Sequence, residues 1–164
     1  MSRTTRLPML AKTDFVDLIP HAGDMCLLDG VLAWDDTSIH ATSVSHVLDT
    51  HPLRGEHGLH AVHLAEYGAQ AMAVHGALRA REHGETEPRP GMLVSLRGVK
   101  VSVQRIDTLP GALDVYAECL IADESGAQYL FRVSHNDEEI ASGRAAVIHP
   151  SQERSARRGL EKGD

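Results

Sequence analysis

Cysteine is scarce in this chain, with two residues, Cys26 and Cys119, among 164. Each lies alone inside an apolar, strand-like run, which excludes a disulfide framework and predicts reduced core thiols in a cytoplasmic protein. Basic clusters are missing too. Sixteen Lys and Arg stand against 23 Asp and Glu, giving a formal charge of -7 and a pI near 5.8. A phosphate-binding face needs concentrated cations, so nucleic acid is not an expected partner. Arg154, Arg157, Arg158 and Lys162 are interleaved with Glu153 and Glu161 and read as a solvated tail. No apolar run approaches the ~18 residues of a membrane span, and the opening MSRTTRLPMLAK has no signal-type apolar segment. Internal repeats are absent. A soluble chain that uses neither membrane nor nucleic acid is expected.

What is present is enough for one core. With 42% hydrophobic residues, 164 residues suit a single domain and are too few for two. Its expected span is 14–149, with 1–13 and 150–164 as flexible termini. A short amphipathic segment, Phe15 to Ile19, ends at Pro20. Strands are expected at Met25 to Trp34 and Ser38 to Ser45, followed by an irregular stretch to Leu59. A long helix then runs from His60 to Glu82. Four more strands follow, Met92 to Val103, Leu113 to Ala122, Gln128 to His135 and Glu139 to Ile148. Alternation is clearest in Val99, Val101, Val103 and in Leu113, Val115, Ala117, Cys119, Ile121. Pro110-Gly111 punctuates the strands, and Ser125-Gly126 and Asn136-Asp137 suit tight hairpins.

The helix is apolar on almost every side yet holds one carboxylate, Glu66, in its apolar run. An unpaired ionised carboxylate among apolar groups would cost several kcal/mol, roughly, or be driven to protonate, so folding alone gives little reason for it. At about 100° per residue, Glu66, Gln70 and His63 fall on one narrow stripe. The expectation is a reactive carboxyl in an apolar pocket, where burial favours the neutral acid.

Two strands, one long helix and four strands make an α+β chain in which a curved antiparallel sheet wraps one central helix, the hotdog architecture. Leu18-Ile19-Pro20-His21 followed by Met25-Cys26-Leu27-Leu28-Asp29 resembles the N-terminal signature of 3-hydroxyacyl-acyl-carrier-protein dehydratases of that superfamily. Glu66-Tyr67-Gly68-Ala69-Gln70-Ala71 resembles their central-helix motif, and EYGAQAMAVHG is similar to the small branch associated with aryl-polyene type biosynthesis. The resemblance implies Glu66 as the catalytic acid. The family's histidine precedes it, and the nearest candidate is His51 in THPLRG, fifteen residues before Glu66 and one more than the family spacing.

Dehydration of a 3-hydroxyacyl thioester needs a base for the α-proton, an acid for the departing hydroxyl and donors for the thioester carbonyl. His51 and Glu66 fill the first two roles. Backbone N–H groups at the helix start, around Ala61 and Val62, are expected to supply the third, with His63 and Gln70 supporting at the substrate. No cofactor is expected. His60, His63 and Glu66 could be read as metal ligands, but i, i+3, i+6 spacing drifts around the helix and does not converge on one ion, so no metal site is assigned. His21 and His75 read as hydrogen-bonded structural residues.

The resemblance also implies an acyl carrier protein as partner and a homodimer or higher oligomer, with the His of one chain meeting the Glu of the other. Docking an acidic carrier needs local cations, for which Arg54, Arg79, Arg81, Arg89, Arg97 and Arg105 are candidates and Arg54 the best placed. Two other readings stay open. Glu66 could serve an acyl-CoA thioesterase, or the chain could be a non-catalytic partner subunit of a dehydratase complex.

Overall fold

The computed structural model describes residues 9–19, 23–85 and 91–150; Pro20, His21, Arg89 and the tail cations lie outside them. A two-residue strand, β1 (Leu10–Ala11), leads into a short helix, α1 (Lys12–Phe15), and a 3-10 turn, Val16–Leu18. Strands β2 (Gly30–Trp34) and β3 (Ser38–Ser43) precede the long helix α2 (Leu64–Glu82), which a 3-10 turn at Ala61–His63 introduces. The remaining strands are β4 (Met92–Val101), β5 (Leu113–Ala122), β6 (Gly126–His135) and β7 (Glu138–Ile148). All seven pair antiparallel in the order β1-β2-β3-β5-β6-β7-β4. One helix against one curved antiparallel sheet is the hotdog fold expected. No helix among the described residues is long and apolar enough to cross a membrane.

The strands form where period-two alternation puts one apolar set on the helix side. Ile39 and Ala41 of β3, Leu113, Val115 and Ala117 of β5, and Tyr129, Phe131 and Val133 of β6 are buried, while their neighbours His40, Asp114 and Arg132 face out. Asn136 and Asp137 both take positive φ, 49° and 63°, as the two-residue β6–β7 hairpin requires. Cys26 is buried, Cys119 half-buried, and both are unpaired.

Three boundaries differ from expectation for identifiable reasons. The strand expected from Met25 starts only at Gly30, because Leu27 gives its N–H to Gln70 Oε1 (2.8 Å) and its carbonyl to the Ser43 and Ser45 hydroxyls. With both backbone groups taken by side chains, Leu27 has none left for a ladder, and pairing with β3 begins only where Asp29 N–H reaches Thr42 O (2.9 Å). Ser45 opens a 3-10 turn rather than ending β3. β4, expected to run to Val103, ends at Val101, the last of its residues paired with β7.

α2 buries Leu64, Tyr67, Gly68, Gln70, Ala71, Met72, Val74, His75 and Leu78. It approaches the sheet closely at Gly68, where a Cβ would lie 2.5 Å from Cγ and Cδ2 of Phe131. Gly143 of β7 receives the far end of the same ring, 2.7 Å from where its own Cβ would stand. Phe131 is thus held between two glycines, one from the helix and one from the sheet. A second face of α2, running through Ala65, Glu66, Ala69, Ala73, Gly76 and Ala80, stays half-buried or open. Glu66 therefore sits at the margin of the protomer's core, not within a fully buried run.

Candidate active site

Two long-range contacts fix the head of α2. Ala61 donates its N–H to Gln104 O (2.8 Å) and Ile106 donates to Leu59 O (3.0 Å), tying the helix entry to the segment before β5. Asp107 closes the same junction. Its carboxylate, whose side chain is 2% exposed, accepts from Leu59 N (3.0 Å) and from Arg105 Nε (3.1 Å) and Nη2 (2.6 Å). Arg54 Nη2 stands 3.6 Å away. The Arg105 guanidinium and the Leu59 amide hold the Asp107 carboxyl far below its ordinary range. Gly58, at φ +92°, lies beneath this pair, and a Cβ there would come within 2.5 Å of both Arg105 Nη2 and Asp107 Oδ2. Arg54 and Arg105, expected as docking cations, are instead spent on this clamp. Arg79 turns inward to Cys119 Sγ at 3.9 Å.

His51 is buried, 5% exposed. Its Nδ1 accepts the N–H of Leu53 (3.1 Å), so that nitrogen carries no proton. In the neutral ring the proton is then on Nε2, which donates to Tyr67 Oη at 3.1 Å. Tyr67, fully buried, passes its own proton to Ser45 Oγ (2.7 Å), and Ser45 donates on to Leu27 O (2.9 Å). Ser43 supports this end through Ser45 N–H (3.1 Å) and Leu27 O (2.5 Å). Burial lowers the His51 pKa below its ordinary 6.5, and the positive potentials of His63, His46 and Arg54 lower it further. Burial pushes the Tyr67 phenol up to about 12, against the Ser45 and Ser43 hydrogen bonds. At neutral pH the pair is an uncharged imidazole and an uncharged phenol.

From Leu27 the network continues to the acid. Gln70 takes the Leu27 N–H on Oε1 and gives its two amide protons to Met25 O (2.7 Å) and Glu66 Oε1 (3.2 Å). Gln70, expected at the substrate, is thereby bonded to Glu66 and to the Met25–Leu27 segment. Glu66, through Gln70, and His51, through Tyr67 and Ser45, are thus tied to the two backbone groups of the same residue, Leu27.

The amides expected as carbonyl donors are engaged. Ala61 N–H goes to Gln104, Val62 N–H to His60 Nδ1 (3.0 Å) and His63 N–H to His60 O (3.2 Å). The cause is residue 60, a histidine that folds back to cap the helix, so these groups are not open donors. The Val62 side chain is exposed and that of His63 half-buried, and His63 lines a cavity of about 530 Å³ with Leu53, His57, His60 and Arg105. Among the described residues no three His, Cys, Asp or Glu side chains are placed to share a metal ion. His75 is structural as expected, donating from Nε2 to Asp35 O (2.8 Å) and accepting from Tyr129 Oη at 2.7 Å on Nδ1.

Sequence reasoning missed Tyr67, Ser43, Ser45 and Asp107. Tyr67 was visible inside the EYGAQ motif, one position from Glu66, but nothing local marked the serines or Asp107 as its company.

The buried imidazoles predict the stability profile. Burial lowers the pKa of His46, His51 and His75 alike. The unfolded chain therefore binds more protons below pH ~6.5, and stability, fully present above that pH, falls as pH drops toward the folded-state values. Each imidazole contributes a slope of up to about 1.4 kcal/mol per pH unit. Urea midpoints measured from pH 8 to pH 5 should be flat above pH ~7 and decline below it.

Comparison with known proteins agrees with this fold. No curated protein matches the chain. Among solved structures, the dehydratase heterocomplex ApeI:P from Xenorhabdus doucetiae superposes with a TM-score of 0.75 at 24% identity, covering 89% of this chain and 95% of that one. A hypothetical thioesterase protein with coenzyme A from Streptococcus pneumoniae TIGR4 gives 0.57 at 11% identity, covering 86% and 98%. A thioesterase of Staphylococcus aureus subsp. aureus Mu50 gives 0.52 at 16% identity, covering 71% and 89%. At these identities the structures share the fold. The family model described as ApeP dehydratase matches residues 13–158, from α1 through the last strand, and the chain therefore belongs to the ApeP-like dehydratase family.

Proposed function

We propose that this protein removes water from 3-hydroxyacyl thioesters carried on an acyl carrier protein, with His51 as base and Glu66 as acid. The observation that supports this most is a neutral, buried imidazole held by Tyr67, in a fold that also sets a half-buried carboxyl, held by Gln70, at the head of an apolar helix. His51 takes the α-proton; the electron pair left on Cα forms the double bond and expels the hydroxyl. Glu66, in its acid form, protonates that hydroxyl so that water leaves. Imidazolium and carboxylate then exchange a proton through solvent, which resets the site. The exposed Val62 and half-buried His63 flank the incoming thioester.

The half-open setting of Glu66 points to a second hotdog chain as the remaining wall. Among the described residues β4 has β7 on one side and no strand on the other, and Met92, Leu93, Val94, Leu96, Val99 and Val101 along it are all exposed. An edge this apolar is a pairing surface. The X. doucetiae relative is described as a heterocomplex, so the second chain is either a copy of this one or a related dehydratase subunit; the simplest assembly is a homodimer. Charging the edge with Val94→Lys and Leu96→Lys should convert the assembled species to the 17.8 kDa monomer in native mass spectrometry.

The function is tested by offering the purified protein 2-enoyl and 3-hydroxyacyl thioesters of pantetheine and of carrier protein, and following water addition by mass spectrometry. Interconversion of the two supports the reading. Release of free acid would support the thioesterase alternative, and an inert protein the partner-subunit alternative.

A further inference from the structure

The hydrogen bonds of His51 distinguish its two nitrogens, and this inference rests on the dehydratase reading above. Nε2 faces a fully buried phenol, and behind it lie Ser45, Ser43 and a backbone carbonyl. Nδ1 faces the other way, toward the Leu53 amide, and Leu53 lines the 530 Å³ cavity at the helix head. A ring nitrogen serves as a base only through a free lone pair, and a histidine base is held in the right tautomer by a partner on its other nitrogen.

We propose that Nδ1 is the basic atom of His51, and that Tyr67 and Ser45 are the positioning residues that make it so by keeping the ring proton on Nε2. The first two directions in the chain are fixed, and the others follow when Ser45 gives its proton to the Leu27 carbonyl. Leu53 N–H can only donate, so Nδ1 accepts; Nε2–H then donates to Tyr67, Tyr67 to Ser45, and Ser45 to the Leu27 carbonyl, which can only accept. When substrate displaces the Leu53 amide, its Cα–H proton passes to Nδ1. The resulting imidazolium keeps its Nε2–H bond to the phenol oxygen, a charge-assisted bond stronger than the neutral one it replaces. Protonation of Nδ1 without substrate is opposed, because it sets two N–H donors against each other. His63, His46 and Arg54, the other titratable groups acting on the ring, also oppose the charge.

Two-bond proton–nitrogen correlations on the ¹⁵N-labelled full chain read the tautomer directly, without substrate. Wild type is expected to show His51 protonated on Nε2 and bare on Nδ1 above its pKa. Tyr67→Phe removes the acceptor, so the tautomers should mix and the imidazolium should be less stable. In the hydration assay that variant should lose about tenfold in kcat with little change in KM, and, because His51 enters hydration protonated, the alkaline limb of its pH profile should move to lower pH. Ser45→Ala, which leaves the phenol in place, should move the same quantities in the same direction by less, and it serves if Tyr67→Phe does not fold. A purely structural Tyr67 would lower the melting temperature and leave tautomer and alkaline limb where they were, which would overturn the proposal. So would an active wild type carrying its proton on Nδ1. An inert wild type with its proton on Nε2 would instead overturn the dehydratase reading and leave the hydrogen-bond assignment standing.

Discussion

Glu66→Gln is expected to abolish water addition, lowering the rate by roughly 10²–10⁴-fold, the range over which a positioned acid or base contributes, while leaving the fold intact. Glutamine preserves the shape and can still meet the Gln70 amide through its own carbonyl oxygen, so the hydrogen bond between residues 66 and 70 survives. What is lost is the transferable proton. His51→Gln is the matched change at the other end, since its amide can reach the Tyr67 hydroxyl as Nε2 does but offers no basic lone pair. Both variants should melt near wild type and both should fail in the assay. If only Glu66→Gln fails, a lone carboxylate carries the chemistry, as the thioesterase alternative would have it.

Phe131→Ala is expected to be the most damaging single change to stability, about 3–5 kcal/mol, from lost burial and the cavity left behind. The ring joins helix to sheet, with Gly68 against one end and Gly143 against the other. Gly68→Ala in the wild-type background should cost roughly 1–3 kcal/mol by overpacking, since its Cβ would stand 2.5 Å from ring atoms fixed close to the backbone of β6. The two effects should not add. Once the ring is gone, the same methyl fills vacated space and gains the better helix propensity of alanine. Gly68→Ala should therefore be neutral or stabilising in the Phe131→Ala background, which denaturant unfolding of the four proteins in a cycle would measure. Equal costs in both backgrounds would show that the helix approach is not set by this contact.

Much of this architecture was legible in the sequence because the signals were local. The helix announced itself through its apolar pattern, and β5 through alternation that holds from Leu113 to Ala117 and breaks at the bulge between Cys119 and Ile121, beyond which Ile121 is exposed. The Asn136-Asp137 turn was readable because its two positive φ values suit that dipeptide. Less was legible where partners are distant along the chain. Leu27 looks like a strand residue until Gln70, 43 positions away, takes its N–H. Asp107 looks like a loop carboxylate until Leu59 and Arg54 arrive from the far side of the helix. The setting of Glu66 was misjudged for a related reason. Periodicity identifies the neighbours a residue has on its helix, but not which face of that helix the chain's own sheet leaves open. His51 and Glu66 were found through motif resemblance; the residues joining them were not, because a serine at a strand end has no signature until something distant needs its hydroxyl.

The claim that Glu66 and His51 perform water chemistry at C3 of an acyl thioester is tested most directly in H₂¹⁸O. The protein, incubated there with a 2-enoyl thioester, should place ¹⁸O on the C3 hydroxyl of an intact 3-hydroxyacyl thioester, and Glu66→Gln should not. Label appearing only in the carboxylate of a released acid, or an equal C3 label with wild type and Glu66→Gln, would contradict the account.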